Sequence, residues 1–464
     1  MAAYQELCEK HRVECKEVFP EYADRVSWSA DQLRREREER LRALVRLAVE
    51  RSPWHRQRLA GIDLSCLTEE DLEHILPMTK ADLMAHWNEI VTDPRLNLDL
   101  ANDHLETLDS DRYLFDHYHA IASGGSTGTR GVYVYDWTSW TLLAVLIGRD
   151  TAARSADDPE PDGRPNVAAS VFAARATHLS SAIIQTFADP SNDHRFPVTM
   201  PIHEIVEGLN RVQPTDLTGY PSALCLLANE ARAGRLHISP RFVGTTAEPL
   251  LPEIRDALRE VWGVPVANMW CCSEGGVARS CGQGRGMHLA DDLTIVELVD
   301  AQGKPVPPGV RSAKIYLTNL YNHTLPLIRY EITDEMTLID EPCPCGSAHR
   351  RIEDVQGRLD DIFTYACGIQ VHPHLFRSAL GEERDILEYQ VRQTPRGAAI
   401  SIRCMGEVDV PKLLRNDHKI TPAMSFAQTI EIGYPVHSSR AGGEDETLSG
   451  RDRANDAAVL YNAF

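Results

Sequence analysis

Ala122-Ser123-Gly124-Gly125-Ser126-Thr127-Gly128-Thr129-Arg130-Gly131 runs directly into the strand-like Val132-Tyr133-Val134-Tyr135, and its four glycines and four hydroxyls mark it as a phosphate loop. Glycine lets the backbone turn its N–H groups inward at positions closed to larger residues, and Ser and Thr add donors suited to phosphate oxygens. Neither Gly124 nor Gly125 is followed at the Walker distance by Gly-Lys, so the pattern of a P-loop NTPase is absent. Taken alone, glycine content more often marks a flexible surface loop. The decision rests on the residues around it.

Composition narrows the classes. A chain of 464 residues is long enough for two or three domains, since domains run to roughly 100 to 200 residues. Its net charge of −20 argues against a nucleic-acid partner, because phosphate backbones need basic patches. No apolar run approaches the roughly 20 residues needed to cross a bilayer, and the N-terminus is charged from Glu6 onward without a signal-peptide core. The expectation is a cytosolic enzyme without nucleic-acid or membrane partners. Its 11 scattered cysteines suit free thiols or metal ligands better than a disulfide framework.

Periodicity supplies the scaffold. Residues 29–50 place Leu33, Leu41, Leu44, Val45 and Leu47 on one helical stripe among charges. Ser52-Pro53-Trp54-His55 closes that helix, and Leu76-Pro77-Met78-Thr79-Lys80 opens a short one; both read as ordinary turn chemistry. Residues 137–147 form an apolar helix, and 167–172 a buried strand. Strands and helices then alternate through 205–209, 214–222, 223–233, 242–246, 251–262 and 266–270, an α/β pattern. In parallel α/β sheets ligands gather at the carboxyl ends of strands, which places the segments after Thr245 and Met269 where a nucleotide would lie.

The residues that settle the reading follow in order: Thr246-Ala247-Glu248-Pro249, Trp270-Cys271-Cys272-Ser273-Glu274, Asp334, and Gly357-Arg358-Leu359-Asp360-Asp361. With the glycine-rich loop they resemble the adenylate-forming superfamily, most closely its phenylacetate-CoA ligase-like branch, over nearly the whole chain. The resemblance implies an α/β protein with a large N-terminal ATP- and substrate-binding domain of mixed sheets, 1–357, and a small mobile α+β C-terminal domain, 358–464. It makes Ser123, Gly124, Gly125, Ser126, Thr127 and Gly128 the triphosphate loop, with Thr127 catalytic. Ala247, Glu248 and Pro249 become the adenine-contacting turn, and Trp270 and Ser273 further ATP contacts. Glu274 becomes a catalytic residue and the Mg²⁺ ligand, Asp334 and Arg358 the ribose binders with Arg358 also catalytic, and Asp360 the hinge.

These assignments are chemically coherent. A hard carboxylate suits Mg²⁺ shared with ATP phosphates, and an aspartate at a strand end can accept both hydrogen bonds of a ribose diol. Trp270 suits stacking on adenine, and an ordinary core tryptophan is the alternative reading. Tyr135, Trp140, Tyr220 and Trp270 are candidate walls for the acid, though aromatics at such places also serve as core.

A second constellation is visible without the resemblance. Cys281, His288, Cys343 and Cys345 supply three thiolates and an imidazole, the donor set of a closed structural zinc site, with His349 as a possible replacement ligand. Cys281 follows Glu274 by seven residues and Cys343 follows Asp334 by nine, so one ion would pin the two loops together. A closed site stabilises and does not activate water.

Residues 387–393 and 398–404 are expected to pair in the C-terminal domain, with a helix at 410–415 and a last strand at 429–433. The departure from the family comes at the end. Where the family presents a catalytic lysine in a Gly-Lys dipeptide, this chain reads His437-Ser438-Ser439-Arg440-Ala441-Gly442-Gly443-Glu444, and no lysine follows Lys419. A carboxylate cannot do the electrostatic work of an ammonium at developing negative charge. Slow chemistry, recruitment of Arg440 or Arg451, or a different substrate are the ways out.

The function implied is an ATP-dependent ligase that activates a small aromatic acid as acyl-AMP and passes it to a nucleophile, the CoA thiol or an amine, with ATP, Mg²⁺ and structural Zn²⁺ as cofactors. The alternatives are a diazotase-type relative that activates nitrite for an aryl amine, and a non-catalytic nucleotide-binding regulatory module. Nothing in the sequence specifies the acid or the oligomeric state.

Overall fold

The structure, a computed structural model, describes residues 2–63, 66–108, 110–123, 130–157, 163–355 and the strands beyond them. The chain divides into two compact units, one of Met1–Ser123 with Gly131–Arg358 and a second that contains Leu359–Phe464. Among the described residues no helix is long and apolar enough to cross a membrane.

The first unit opens with helices α1 (Ala2–Asp24), α2 (Ala30–Arg51), α3 (Pro53–Arg58), α4 (Lys80–Ala85), α5 (Trp87–Ile90) and α6 (Leu98–Glu106). Helix α2 starts where the sequence signals it. Ser29 Oγ accepts from the Gln32 backbone N–H while Gln32 Oε1 accepts from that of Ser29, a closed capping box. Leu33, Leu41, Leu44 and Val45 are buried as the stripe requires; Ala48 joins them and Leu47 is half-buried.

A hairpin follows: β1 (Tyr118–Ser123) and β2 (Gly131–Asp136), antiparallel, with His119 opposite Tyr135, Ile121 opposite Tyr133 and Ser123 opposite Gly131. The glycine-rich loop joins these strands, and its residues 124–129 lie outside the described ones. Gly131 is required where it stands, since a Cβ there would fall 2.6 Å from Tyr133 Oη and 2.8 Å from Ser123 Oγ. Helix α7 (Trp137–Asp157) leaves β2 and runs well past the expected apolar stretch.

Then come β3 (Ala168–Phe172), α8 (Leu179–Phe187), β4 (Asp193–Pro197), α9 (Ile202–Val212), β5 (Asp216–Gly219), α10 (Pro221–Arg232), β6 (Phe242–Thr246), α11 (Pro252–Trp262) and β7 (Val266–Cys271). Strands β8 (Val277–Ser280), β9 (Met287–Leu289), β10 (Thr294–Val299), β11 (Lys314–Asn319), β12 (Tyr330–Ile332), β13 (Leu338–Ile339) and β14 (Arg351–Ile352) complete the unit. A nine-stranded sheet has the order β13-β14-β9-β8-β7-β6-β5-β3-β4. It is parallel from β4 to β7, where helices return the chain, and antiparallel from β7 to β13, with short connections from β7 to β9 and β14 returning from beyond β13 to pair with β9. Strands β10, β11 and β12 form a separate antiparallel sheet.

Helices α9, α10 and α11 bury Ile205, Leu209, Leu224, Leu227, Ile254 and Leu258 against one sheet face. The larger core collects the hairpin, α7, Trp270 and the residues of β8 to β12. Strand β2 is buried on both faces, which is why its Val132 to Tyr135 run does not alternate with polar residues.

In the second unit β15 (Phe363–Thr364) pairs β16 (Gln370–Val371). Strands β17 (Ile386–Thr394), β18 (Gly397–Cys404), β19 (Ile420–Ala423), β20 (Gln428–Gly433) and β21 (Ala458–Val459) form an antiparallel sheet of order β19-β20-β18-β17-β21. The two strands expected to pair are β17 and β18, and the expected last strand lies beside them as β20. The helix expected at 410–415, the ribose contact Arg358, the hinge Asp360 and the stretch 437–444 lie outside the described residues.

Candidate active site

The turn between β7 and β8 is the most heavily constrained segment of the site. Cys272 and Gly276 close it with a backbone bond of 3.1 Å, and Gly275 N–H returns to the Cys272 carbonyl at 3.0 Å. Gly275 sits at φ +97°, and a Cβ there would lie 2.2 Å from Asn319 Nδ2 and 2.6 Å from Tyr321 Oη. Three successive carbonyls are held from outside the turn: Tyr135 Oη donates to Ser273 at 2.7 Å, Asn319 Nδ2 to Glu274 at 2.9 Å, and Tyr321 Oη to Gly275 at 2.8 Å. The backbone beneath Glu274 therefore has one conformation.

The Glu274 side chain is buried and equally fixed. Tyr133 Oη donates to its Oε1 at 2.6 Å, and Tyr330 Oη donates in turn to Tyr133 at 2.9 Å. Burial, then the charge of Glu274, pushes both phenols far above the ordinary tyrosine range, so both stay protonated donors. Two tyrosines from different sheets thus form a hydrogen-bonded chain that ends on one carboxylate.

Tyr330 is aimed by its neighbour. Arg329 adopts φ +56°, a strained value for a side-chain-bearing residue. Its guanidinium is clamped on Glu297 at 3.0 and 3.1 Å and on the carbonyls of Ile75 and Glu73 at 2.7 and 3.0 Å. The same segment pairs with Met78: Met78 N–H donates to Arg329 O at 3.0 Å, and Glu331 N–H to Met78 O at 2.8 Å.

That bridge delivers a residue the sequence reading passed over. Lys80 follows Met78 by two positions, starts α4 behind the capping box of Thr79 and Asp82, and donates from Nζ to Ser123 Oγ at 3.2 Å. An ammonium thus stands beside Ser123, where the glycine-rich loop begins. The sequence signal for it was only a Pro-Met-Thr-Lys turn, and the pairing with 329–331 that turns it toward the loop is not written locally.

The residues that the resemblance assigns to adenine and ribose lie at the ends of β6, β7 and β12. Ala247 follows β6 in the left-handed region at φ +69°, the kind of strain that collects at functional turns. Glu248 Oε2 accepts from the Ser222 backbone N–H at 3.2 Å, tying that turn to α10. Trp270 is buried in the core with its ring against Gly276, and its Nε1 donates to Asp334 Oδ2 at 2.8 Å. Its observed contact is with the aspartate assigned to the ribose. The candidate acid-pocket walls Tyr135, Trp140 and Tyr220 are all buried, and Tyr220 Oη accepts from Ala173 N–H at 3.2 Å beyond β3.

At the antiparallel end of the sheet the four predicted metal-ligand residues converge. The donor atoms of Cys281, His288, Cys343 and Cys345 lie within 4.8 Å of one another. Cys281 and Cys343 sulfurs are 3.4 Å apart, and Cys345 Sγ is 3.4 Å from His288 Nε2. A tetrahedral zinc site with Zn–S near 2.3 Å needs ligand atoms roughly 3.8 Å apart, and a disulfide needs about 2.05 Å. The Cys281 sulfur accepts from the Gln283 and Gly284 backbone N–H groups at 3.4 and 3.3 Å. His288 turns Nδ1 to the His349 carbonyl at 3.0 Å, the outer contact that orients a ligating imidazole. His349 is not the alternative ligand. Its Nδ1 lies against the Asp291 backbone N–H at 3.2 Å and the Leu289 carbonyl at 2.9 Å, and its Nε2 faces the Arg25 carbonyl at 3.2 Å.

The part-parallel nine-stranded sheet, with the fixed Glu turn at the carboxyl end of β7, gives the chain a fold similar to that of adenylate-forming ligases of known structure. In sequence and fold the chain is phenylacetate-CoA ligase-like. It is 27% identical to phenylacetate-coenzyme A ligase of Thermus thermophilus over 424 residues, covering 88% of each chain. It is 25% identical to the Pseudomonas putida enzyme of the same name over 366 residues, 74% of each. The crystal structure of 2-hydroxyisobutyryl-CoA ligase in its postadenylation state superposes with a TM-score of 0.58 at 21% identity, covering 79% of this chain and 76% of that one. No protein-family model matches the chain.

Proposed function

We propose that the chain is an ATP-dependent, AMP-forming ligase that converts a small aromatic carboxylic acid to its acyl-adenylate and transfers the acyl group to the CoA thiol. The observation that carries this reading is the run Lys80–Ser123, Tyr133–Glu274, Trp270–Asp334, which sets a cation, a rigid carboxylate and a diol acceptor around the loop and strand ends. A carboxylate oxygen of the acid attacks the α-phosphorus of ATP, the bond to the β-phosphate oxygen breaks, and pyrophosphate leaves. The CoA sulfur, having lost its proton, then attacks the acyl carbon and AMP departs with both electrons of the acyl–oxygen bond.

The residues act by position. Ser123 with Gly124, Gly125, Ser126, Thr127 and Gly128 cradles the phosphates, and Lys80 supplies positive charge at the start of the loop, an ammonium that the C-terminal stretch 437–444 lacks. Glu274 presents a buried oxygen-only ligand, which fits Mg²⁺; when bound, the ion would neutralise charge on the phosphates. Ala247, Glu248 and Pro249 take the adenine, and Asp334, steadied by Trp270, takes the ribose with Arg358. We assign the division at 357/358 and Asp360 to the reorientation between the half-reactions. No contact among the described residues favours nitrite activation or a non-catalytic role. Product mass after adding CoA or an amine to an acid-turnover mixture tests the acceptor: a CoA thioester supports this reading, and an amide alone overturns the CoA assignment.

The Cys281–His288–Cys343–Cys345 cluster fits zinc in donor type and spacing, and we assign it a structural role at the end of the sheet. The expected result is one zinc per chain by elemental analysis, lost in Cys281→Ser, with the unfolding midpoint lowered by about 5 °C. Full-length protein that is folded and zinc-free contradicts the assignment.

A further inference from the structure

The Glu274 carboxylate has two oxygens, and the structure gives it one donor. Tyr133 Oη donates to Oε1 at 2.6 Å, the length of a charge-assisted bond. Among the described residues no second group donates to this side chain, although the residue is only 7% exposed. A nearly buried anion with an oxygen left over is costly unless a cation meets it.

The phenol that takes Oε1 is itself fixed. Tyr330 Oη lies 2.9 Å from Tyr133 Oη, and since the Tyr133 proton is committed to Glu274, Tyr330 is the donor of that pair. The two rings meet edge to face, centroids 6.5 Å apart and planes at 75°. Gly131, two residues earlier on β2, leaves the room: a Cβ there would fall 2.6 Å from the phenol oxygen and 2.7 Å from the ring. The hydroxyls of Tyr330 on β12 and Tyr133 on β2 thus reach a carboxylate beside β7, joining three separate sheets. Core packing does not ask for them. Strand β2 is buried on both faces and Tyr133 is 1% exposed, so a phenylalanine would fill the same space. The hydroxyl adds one thing, the orientation of Glu274.

Resting on the ligase reading and on Glu274 as its Mg²⁺ ligand, we infer that Tyr133 is a positioning residue for the ion: its hydroxyl holds Oε1 so that Oε2 meets the metal in one orientation, and Tyr330 acts only through it. Carboxylate ligands are commonly hydrogen-bonded in this way, and removing the outer partner weakens metal binding by about 10- to 100-fold.

The test is the affinity of the full chain for ATP by calorimetry, without acid substrate, in excess Mg²⁺ and again in EDTA. The ratio of the two Kd values reads the contact between ion and protein, and Glu274→Gln sets its floor. Tyr133→Phe is expected to lower the ratio about 10-fold while the Kd in EDTA stays within about twofold, a split that a general loss of packing does not give. Tyr330→Phe lowers it less, and the Tyr133→Phe, Tyr330→Phe double variant matches Tyr133→Phe alone, the non-additivity of groups acting in series. Where Tyr133→Phe does not fold, Gly131→Ala displaces the same hydroxyl and carries the same expectation. A ratio within about threefold of the natural chain's in the variant that folds, with Glu274→Gln lowering it further, overturns the inference and leaves Glu274 and the ligase reading standing. A ratio that Glu274→Gln does not move overturns the metal assignment and this inference with it.

Discussion

Glu274→Gln is expected to lower kcat/KM for acid-dependent pyrophosphate release by about 10³-fold, roughly 4 kcal/mol of transition-state stabilisation, with the unfolding midpoint nearly unmoved. The amide oxygen of Gln can still accept from Tyr133, so the bond at 2.6 Å and the turn held through Ser273, Glu274 and Gly275 carbonyls survive. What disappears is the anionic oxygen assigned to Mg²⁺. The comparison separates function from scaffold, because the three bonds from outside the turn at Ser273, Glu274 and Gly275 are to backbone carbonyls. Turnover within tenfold of the natural enzyme would contradict the assignment of Glu274.

The second large effect concerns stability. Arg149→Ala is expected to destabilise the first unit by about 3–5 kcal/mol, because it leaves a buried carboxylate uncompensated. Arg149 on α7 makes a two-pronged pair with Asp292, Nη1 to Oδ2 at 2.8 Å and Nη2 to Oδ1 at 2.9 Å, and Asp292 is fully buried. Burial works to raise the Asp292 carboxyl, yet the charge and N–H groups of Arg149 hold it down at about 2. A carboxyl depressed in the folded state stabilises above its unfolded value near 4 and loses that contribution as pH falls through its folded value. In the natural protein this group contributes about 2 kcal/mol at pH 7 that fades between about pH 4 and pH 2. In Arg149→Ala the sign reverses: burial without the cation raises the carboxyl, so the variant gains relative stability on acidification. Urea unfolding at pH 7 and pH 4 checks both. A loss under 1 kcal/mol at pH 7 would contradict the role of the pair.

Local patterns were legible where one segment sufficed. The stripe in α2, the buried strands of the parallel sheet and the β17–β18 pair announce themselves by periodicity, whereas the Trp270-to-Glu274 turn stood out only through the family resemblance. The meeting of Cys281, His288, Cys343 and Cys345 was legible by residue type although they come from two distant segments, because three cysteines and a histidine are the donor set of a closed zinc site. Lys80 was missed for a physical reason. Its approach to Ser123 depends on Met78 pairing with the Arg329–Glu331 backbone, which no local spacing encodes. The same holds for Tyr133 and Tyr330, hydrophobic-looking strand residues whose hydroxyls meet over Glu274 only after two sheets pack. Trp270 read as an adenine platform or a core residue; the structure puts it in the core with its N–H on Asp334.

Acid-dependent exchange of labelled pyrophosphate into ATP, with the acyl-AMP identified by mass, tests the central claim most directly. The account predicts Mg²⁺-requiring exchange with an aromatic acid, an adduct whose mass is that acid plus AMP less water, and its conversion to a thioester when CoA is added. Protein that binds ATP but catalyses no exchange with any carboxylic acid would contradict it.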